Sequence, residues 1–263
     1  MLKKEYKFNF KSFIIWTVIT LSIFLLVYLM YPTIMSSENA KMIDELVKIF
    51  PKEVLVAFNM DIASMDSAFG WLKSEGSVFI LLIISSYAGI LGSSILLKEE
   101  NDKTIEYLHS LPIKRTSIVL NKVLVSLINI ISLTLALGIF NYIGLTLSGD
   151  FNTKQFILLS LTPLFPALVT FFICLFVSTF THKTKKTLGI SLGIVLVSYM
   201  LNTLSAMAKE VEFLKYASVF TLADIRNIIV NTNINPIIIL ITVILSILFL
   251  TLTIINYNKK ELV

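Results

Sequence analysis

The sequence predicts an all-α integral membrane protein with six transmembrane helices. Three observations carry this expectation. Of the 263 residues, 56% are hydrophobic, and the mean hydropathy is +0.85. A water-soluble domain of this size cannot hide that much apolar surface. Charged residues make up only 15% of the chain and fall in clusters between long uncharged runs. Those runs are continuous instead of alternating with period two, which selects helices over a barrel.

Six runs reach the roughly 20 residues that a helix needs to cross a bilayer. They are 13–31, 77–97, 117–148, 155–180, 187–208 and 236–256. The third is too long for one upright crossing, so it starts in the cytoplasm or tilts. Pro163 and Pro166 should kink or break the outer part of the fourth. Ser85, Gly89 and Ser93 recur every four residues on the second span, and Gly189 and Gly193 form a G-x-x-x-G on the fifth. Small residues let helix backbones approach, so both sets read as helix-packing seams, within one chain or between two. The single cysteine, Cys174, sits in the fourth run and reads as a small core residue.

Lysine and arginine set the orientation. With the N-terminus in the cytoplasm, the inner segments hold fourteen of the 22 basic residues and six of the 17 acids. The inner side then carries +8 and the outer side −3. Both termini are expected in the cytoplasm of a cell that keeps this chain in its plasma membrane. The net charge of +5 follows from topology and implies no nucleic-acid partner. The first apolar run is longer than the core of a signal peptide and lacks a small-residue cleavage site, so it is expected to stay. Lysine outnumbers arginine 20 to 2 amid many Ile and Asn, a composition that hints at an AT-rich bacterial genome.

The segments between spans carry their own patterns. In 1–12, Leu2, Tyr6 and Phe10 fall on one side and Lys3, Lys4, Lys7 and Lys11 on the other. This is the pattern of an amphipathic helix in the inner interface. Residues 32–76 are the largest external segment. Ser37 can cap a helix whose apolar face is Met42, Ile43, Leu46, Val47 and Phe50, ended by Pro51. The segment is expected to form a small helical cap on the outer surface or helices that lie on the membrane. Residues 209–235 mix charge with apolar groups and can form short helices that dip toward the membrane.

Catalytic patterns are missing from the sequence. It has no H-E-x-x-H and no G-x-S-x-G. None of its nine glycines stands in a G-x-x-x-x-G-K-[ST] phosphate loop. The chain is therefore not expected to be an enzyme or to bind a cofactor or metal. Apart from Lys122 at the inner edge of the third, the spans hold no Asp, Glu, Lys, Arg or His. Ion-coupled carriers and proton pumps usually need such groups at membrane depth.

One polar island, 98–116, interrupts this apolar chain. Read as a helix from Glu99 to Leu111, it sets Ile105, Leu108 and Leu111 on one face and Asp102, Glu106 and His109 on the other. Acids in its first turn suit the positive end of the helix dipole, and Pro112 fixes its end. A helix made only to lie on anionic lipid should be basic. This one is acidic, which favours docking of a cytoplasmic partner.

The run Glu100, Thr104, Ile105, Glu106, Leu108, Pro112, Ile113, Arg115, Ile118 and Lys122 resembles the cytoplasmic coupling segment of permease subunits of type-2 ABC exporters. Lys103 departs from that pattern, which often has Gly there. The resemblance implies one transmembrane permease domain over 1–263, with 1–12 as its connecting helix and 209–235 as its external re-entrant segment. It also implies a second permease subunit, identical or homologous, and cytoplasmic ABC ATPase subunits that carry the ATP and Mg. By the same resemblance Glu99, Glu100, Asp102, Thr104, Ile105, Glu106, Leu108, His109 and Pro112 form the ATPase interface. Glu100, Asp102, Glu106 and His109 would face the partner; Ile105, Leu108 and Leu111 would anchor the helix to the membrane domain or fill the partner's groove. The expected function is export of an amphipathic or hydrophobic substrate. The alternatives are a scaffold or sensory subunit that transports nothing, and an ion-coupled carrier.

Overall fold

A computed structural model describes residues 2–34, 49, 67–105, 110 and 112–260. The external cap expected in 32–76 falls outside the described residues, except at its two ends and at Ile49. The described residues contain helices and no strand. Six helices are long and apolar enough to cross a membrane.

Helix α1, Leu2–Ile34, is continuous. No break separates an interfacial helix over 1–12 from the span, which corrects that expectation. At 33 residues it reaches about 50 Å against a hydrocarbon core of about 30 Å. Its first turns therefore project past the apolar layer, with Lys3, Lys4 and Lys7 exposed and Glu5 turned inward. Helix α2, Ala68–Ser94, starts nine residues before the expected span. Ser67 caps it, accepting from the Gly70 amide, and a π turn at Leu72–Gly76 carries it into the straight part. The short α3, Lys98–Asn101, follows.

Helix α4, Arg115–Ser148, is a single 34-residue rod, about 51 Å long. It starts three residues after Pro112 and stops at Gly149, whose φ of 141° only glycine adopts easily. Helices α5, Thr153–Leu161, and α6, Leu164–Ser178, are the two halves of the fourth span. They are interrupted at Thr162 and Pro163, where the proline lacks the amide that would continue the ladder. Helix α7 is Thr184–Met207. Two 3₁₀ pieces, Lys209–Ala217 and Val219–Ala223, and α8, Ile225–Asn231, occupy the expected re-entrant segment. Their Phe220, Leu222, Ile225 and Ile228 are buried against the bundle. Helix α9, Pro236–Lys259, is opened by Asn235, whose side chain accepts from the Ile237 amide.

Helix α2 is the axle of the bundle. It packs chiefly on α6 and α7, α6 packs on α9, and α1 packs on α4. The Ser85, Gly89 and Ser93 seam explains this. Ser85 and Ser93 are fully buried, and a Cβ on Gly89 would touch Thr170 and Cys174 of α6 and Ser191 of α7 at 3.5–3.7 Å. At Gly92 the approach is closer still: a Cβ would lie 2.4 Å from the Phe171 carbonyl oxygen. The fifth-span pair behaves differently. Among the described residues nothing lies within 4 Å of a Cβ on Gly189 or Gly193, so that seam faces away from the described helices.

Candidate functional site

Both termini and the polar island gather at one end of the bundle. Here the sequence puts its only ionisable residue of a predicted span, Lys122, on the inward face of α4. Its side chain has no solvent exposure. A buried ammonium is tolerated only with charged partners and full hydrogen bonding. Lys122 Nζ donates to Glu99 Oε1 at 2.7 Å, to Glu99 Oε2 at 2.9 Å and to the Ile95 carbonyl at 2.7 Å. Glu5 Oε1 lies 3.6 Å away. The other Glu5 oxygen is 3.8 Å from Lys98 Nζ, an ion pair too long for a hydrogen bond. Two cations and two carboxylates thus neutralise one another. Burial pushes the Lys98 ammonium below its ordinary pKa, with Glu5 pulling the other way.

A second cluster adjoins the first. Glu100 is 8% exposed. Its Oε1 accepts from Lys260 Nζ at 2.7 Å, and its Oε2 is 2.7 Å from His182 Nδ1. A carboxylate can only accept, which places the imidazole proton on Nδ1. Lys260 also donates to the Thr181 carbonyl at 2.7 Å. Arg115 Nη1 donates to the carbonyls of Lys260 and Asn258 at 3.0 and 3.1 Å and closes the C-terminal end of α9. Asn101 reaches across to the Thr184 hydroxyl. Through these contacts the few residues of 99–101 grip α4, the α6–α7 turn, the start of α7 and the end of α9. Glu5 links α1 to the same cluster.

The island is not the continuous helix that its periodicity suggests. Helix α3 ends at Asn101, and Lys103 takes a left-handed φ of 54°. The Thr104 amide then returns to the Glu99 carbonyl at 2.9 Å. The turn therefore forms even without the glycine that the resembling family often places there. It also redirects the acids. Glu99 and Glu100 point into the protein and spend their carboxylates internally, which corrects the partner-facing orientation expected of Glu100 and the interface place expected of Glu99. Asp102, Thr104 and Pro112 are exposed, as is Lys103. Ile105 is buried at 3% exposure. Glu106, Leu108 and His109 lie outside the described residues.

The arrangement ties the root of the island to α4, the α6–α7 turn, the start of α7 and the residue that follows α9. Among the described residues no group of three or more His, Cys, Asp or Glu could hold a metal. Sequence reasoning passed over Glu5, His182 and Lys260 as members of the cluster. Lys122 was the available signal, because a cation at a span's inner edge demands a carboxylate.

A model of the family described as ABC-2 family transporter protein matches residues 1–262. The chain belongs to that family. No curated protein and no solved structure matches it. As an ABC-2 permease it is a multi-pass membrane component of an ABC-type transporter, not the ATPase. Membership implies association with an ABC ATPase and with the bilayer.

Proposed function

We propose that this permease is the membrane-spanning subunit of an ABC exporter and that residues 98–114 form its docking point for a cytoplasmic ATPase. The observation that carries this reading is the double ion cluster at the root of the island. The exposed turn Asp102–Thr104 projects from it, while Glu99 and Glu100 hold its base to α4, the α6–α7 turn and the end of α9 through short charge-assisted bonds. A loop built only to connect two spans needs no such anchorage. A loop that must pass a push to the spans does. ATP and Mg bind the partner, whose closure displaces the turn; the stiff base then moves α4 and α9 with it.

The terminal end faces the cytoplasm of the plasma membrane in this reading, in accord with the excess of lysine there. A second permease subunit, identical or homologous, completes the pathway. The open G-x-x-x-G seam at Gly189 and Gly193 is available for it. The cargo is amphipathic or hydrophobic, since the spans offer apolar and hydroxyl side chains and Lys122 is internally neutralised.

The test is co-purification. The tagged permease, solubilised gently from its native membrane, should bring down a stoichiometric P-loop ATPase. Replacing Asp102–Thr104 with Gly-Ser-Gly should release that ATPase while leaving the permease folded. A folded permease that never carries an ATPase would overturn the reading.

A further inference from the structure

At the end of the bundle opposite the termini, a cavity of about 780 Å³ opens between α2, α7, the first 3₁₀ piece and α8. That volume lies within the roughly 300–1,000 Å³ range of small-molecule sites. Its lining is sorted by depth. Leu81, Tyr199, Phe220 and Ile225 supply an apolar floor. Asn202, Thr203 and Thr221 supply polar wall groups, and the buried Thr203 hydroxyl has no hydrogen-bond partner among the described residues.

The rim is basic. Lys73, Lys209, Lys215 and Arg226 line it against two acids, Glu212 and Asp224. Glu212 is already taken, since Lys215 Nζ lies 2.6 Å from its Oε1. Among the described lining residues, Lys73, Lys209 and Arg226 then stand against one further carboxylate, Asp224, with Lys209 also acting on Glu212. This imbalance runs against the acidic excess that the sequence assigns to the same side of the membrane. Arg226 and Lys209 are exposed, whereas Lys73 sits 5.0 Å over the Phe69 ring.

A second observation bears on where a ligand would come from. Phe213 and Tyr216, on the same 3₁₀ piece as Lys209 and Lys215, are 65% and 81% exposed. Lys215 Nζ lies 5.2 Å over the Tyr216 ring. Exposed aromatic rings next to lysines are the usual composition of a membrane–water interface. Such rings suit a cavity mouth that opens among lipid headgroups.

We propose that this cavity binds an amphiphile with an anionic head, a phosphate or a carboxylate, its head on Arg226 and Lys209 and its tail on the floor at Leu81 and Phe220. The proposal deepens the exporter reading, on which it rests for placing the cavity at the outer leaflet, by naming the cargo class that the permease holds there. A neutral or cationic amphiphile would leave the excess of cations over Asp224 without a counter-charge.

The test uses the full chain in nanodiscs of zwitterionic lipid, without an ATPase. Val230 lines the cavity and is 73% exposed, so Val230→Cys can carry an environment-sensitive fluorophore; the native Cys174 is buried. Dodecyl phosphate, dodecanoate and dodecyltrimethylammonium are titrated separately. The expected result is at least about tenfold tighter binding of an anionic probe than of the cation, the factor that one charge-assisted contact supplies. The preference should fall with salt and vanish in Lys209→Glu/Arg226→Glu, whose sites are exposed and whose replacement leaves the fold intact. The two anions compared with each other identify the head group. Equal response to all three probes, or a preference indifferent to the double charge reversal, would overturn the proposal. Because no ATPase is present, that failure would leave the co-purification test untouched.

Discussion

Lys122 Nζ sits 2.7 Å from Glu99 Oε1 with no part of its side chain exposed to solvent. One residue belongs to the long rod of α4, the other to the root of the island 23 positions earlier. The pair makes the first turn of the island a part of the membrane domain. Desolvation of an ion pair is costly, and well-packed apolar residues often replace one without loss. Retaining the pair at this depth therefore points to a role in fixing the loop's position, with Glu5 recruiting α1 into the same cluster.

The first prediction separates position from stability. Lys122→Met leaves Glu99 without its cation and Glu5 with only the long contact to Lys98, and should cost about 3–5 kcal/mol. Lys122→Met combined with Glu99→Gln should recover a large part of that loss. Thermal unfolding of the purified permease reads both. Equal damage in the single and double variants would show that the two side chains are not coupled.

The second prediction concerns the other carboxylate. Glu100→Gln keeps the shape but removes the charge that Lys260 and His182 share. The exposed turn is untouched, so ATPase association should persist. Transport per ATP hydrolysed should fall several-fold, because the base of the loop no longer holds the end of α9. Reconstituted vesicles with the partner ATPase give both rates. Unchanged stoichiometry would remove Glu100 from the path of transmission.

Six crossings were legible because twenty uncharged residues in a row have one stable answer in a bilayer. The break at Pro163 was legible for an equally local reason. What the residues of 99–111 do was not. Their periodicity fits one helix, and the turn at Lys103 wins because Glu99 and Glu100 find their counter-charges on α4, at His182 and at Lys260, up to 160 positions away. Local pattern carries no record of such partners. The same holds for the small-residue seams: Gly89 and Gly189 look alike in sequence, and only the fold shows that one meets α6 and the other meets nothing.

A third prediction follows from that turn. Lys103 holds φ at 54°, a region that L-residues enter at a cost and glycine enters freely. Lys103→Gly should raise the melting temperature slightly, in line with a gain of about 0.5–1 kcal/mol. Lys103→Val, which is β-branched, should lower it. The opposite order would mean that this turn does not persist in the membrane.

The last prediction contrasts two glycines. A methyl group on Gly92 would stand 2.4 Å from the Phe171 carbonyl oxygen and 3.0 Å from the Leu175 amide nitrogen, both rigid backbone of α6. Neither atom can swing aside, so α2 and α6 must part and the cavities so opened lose their van der Waals contacts. Gly92→Ala should therefore destabilise the protein by about 1–3 kcal/mol. A methyl on Gly189 meets no atom within 4 Å. There the only change is better helix propensity, so Gly189→Ala should be neutral or stabilising by at most about 1 kcal/mol. Thermal unfolding of the two variants under one condition makes the comparison. Damage at Gly189 equal to that at Gly92 would mean that the fifth span packs against something other than lipid, which in this fold leaves a second permease subunit as its neighbour.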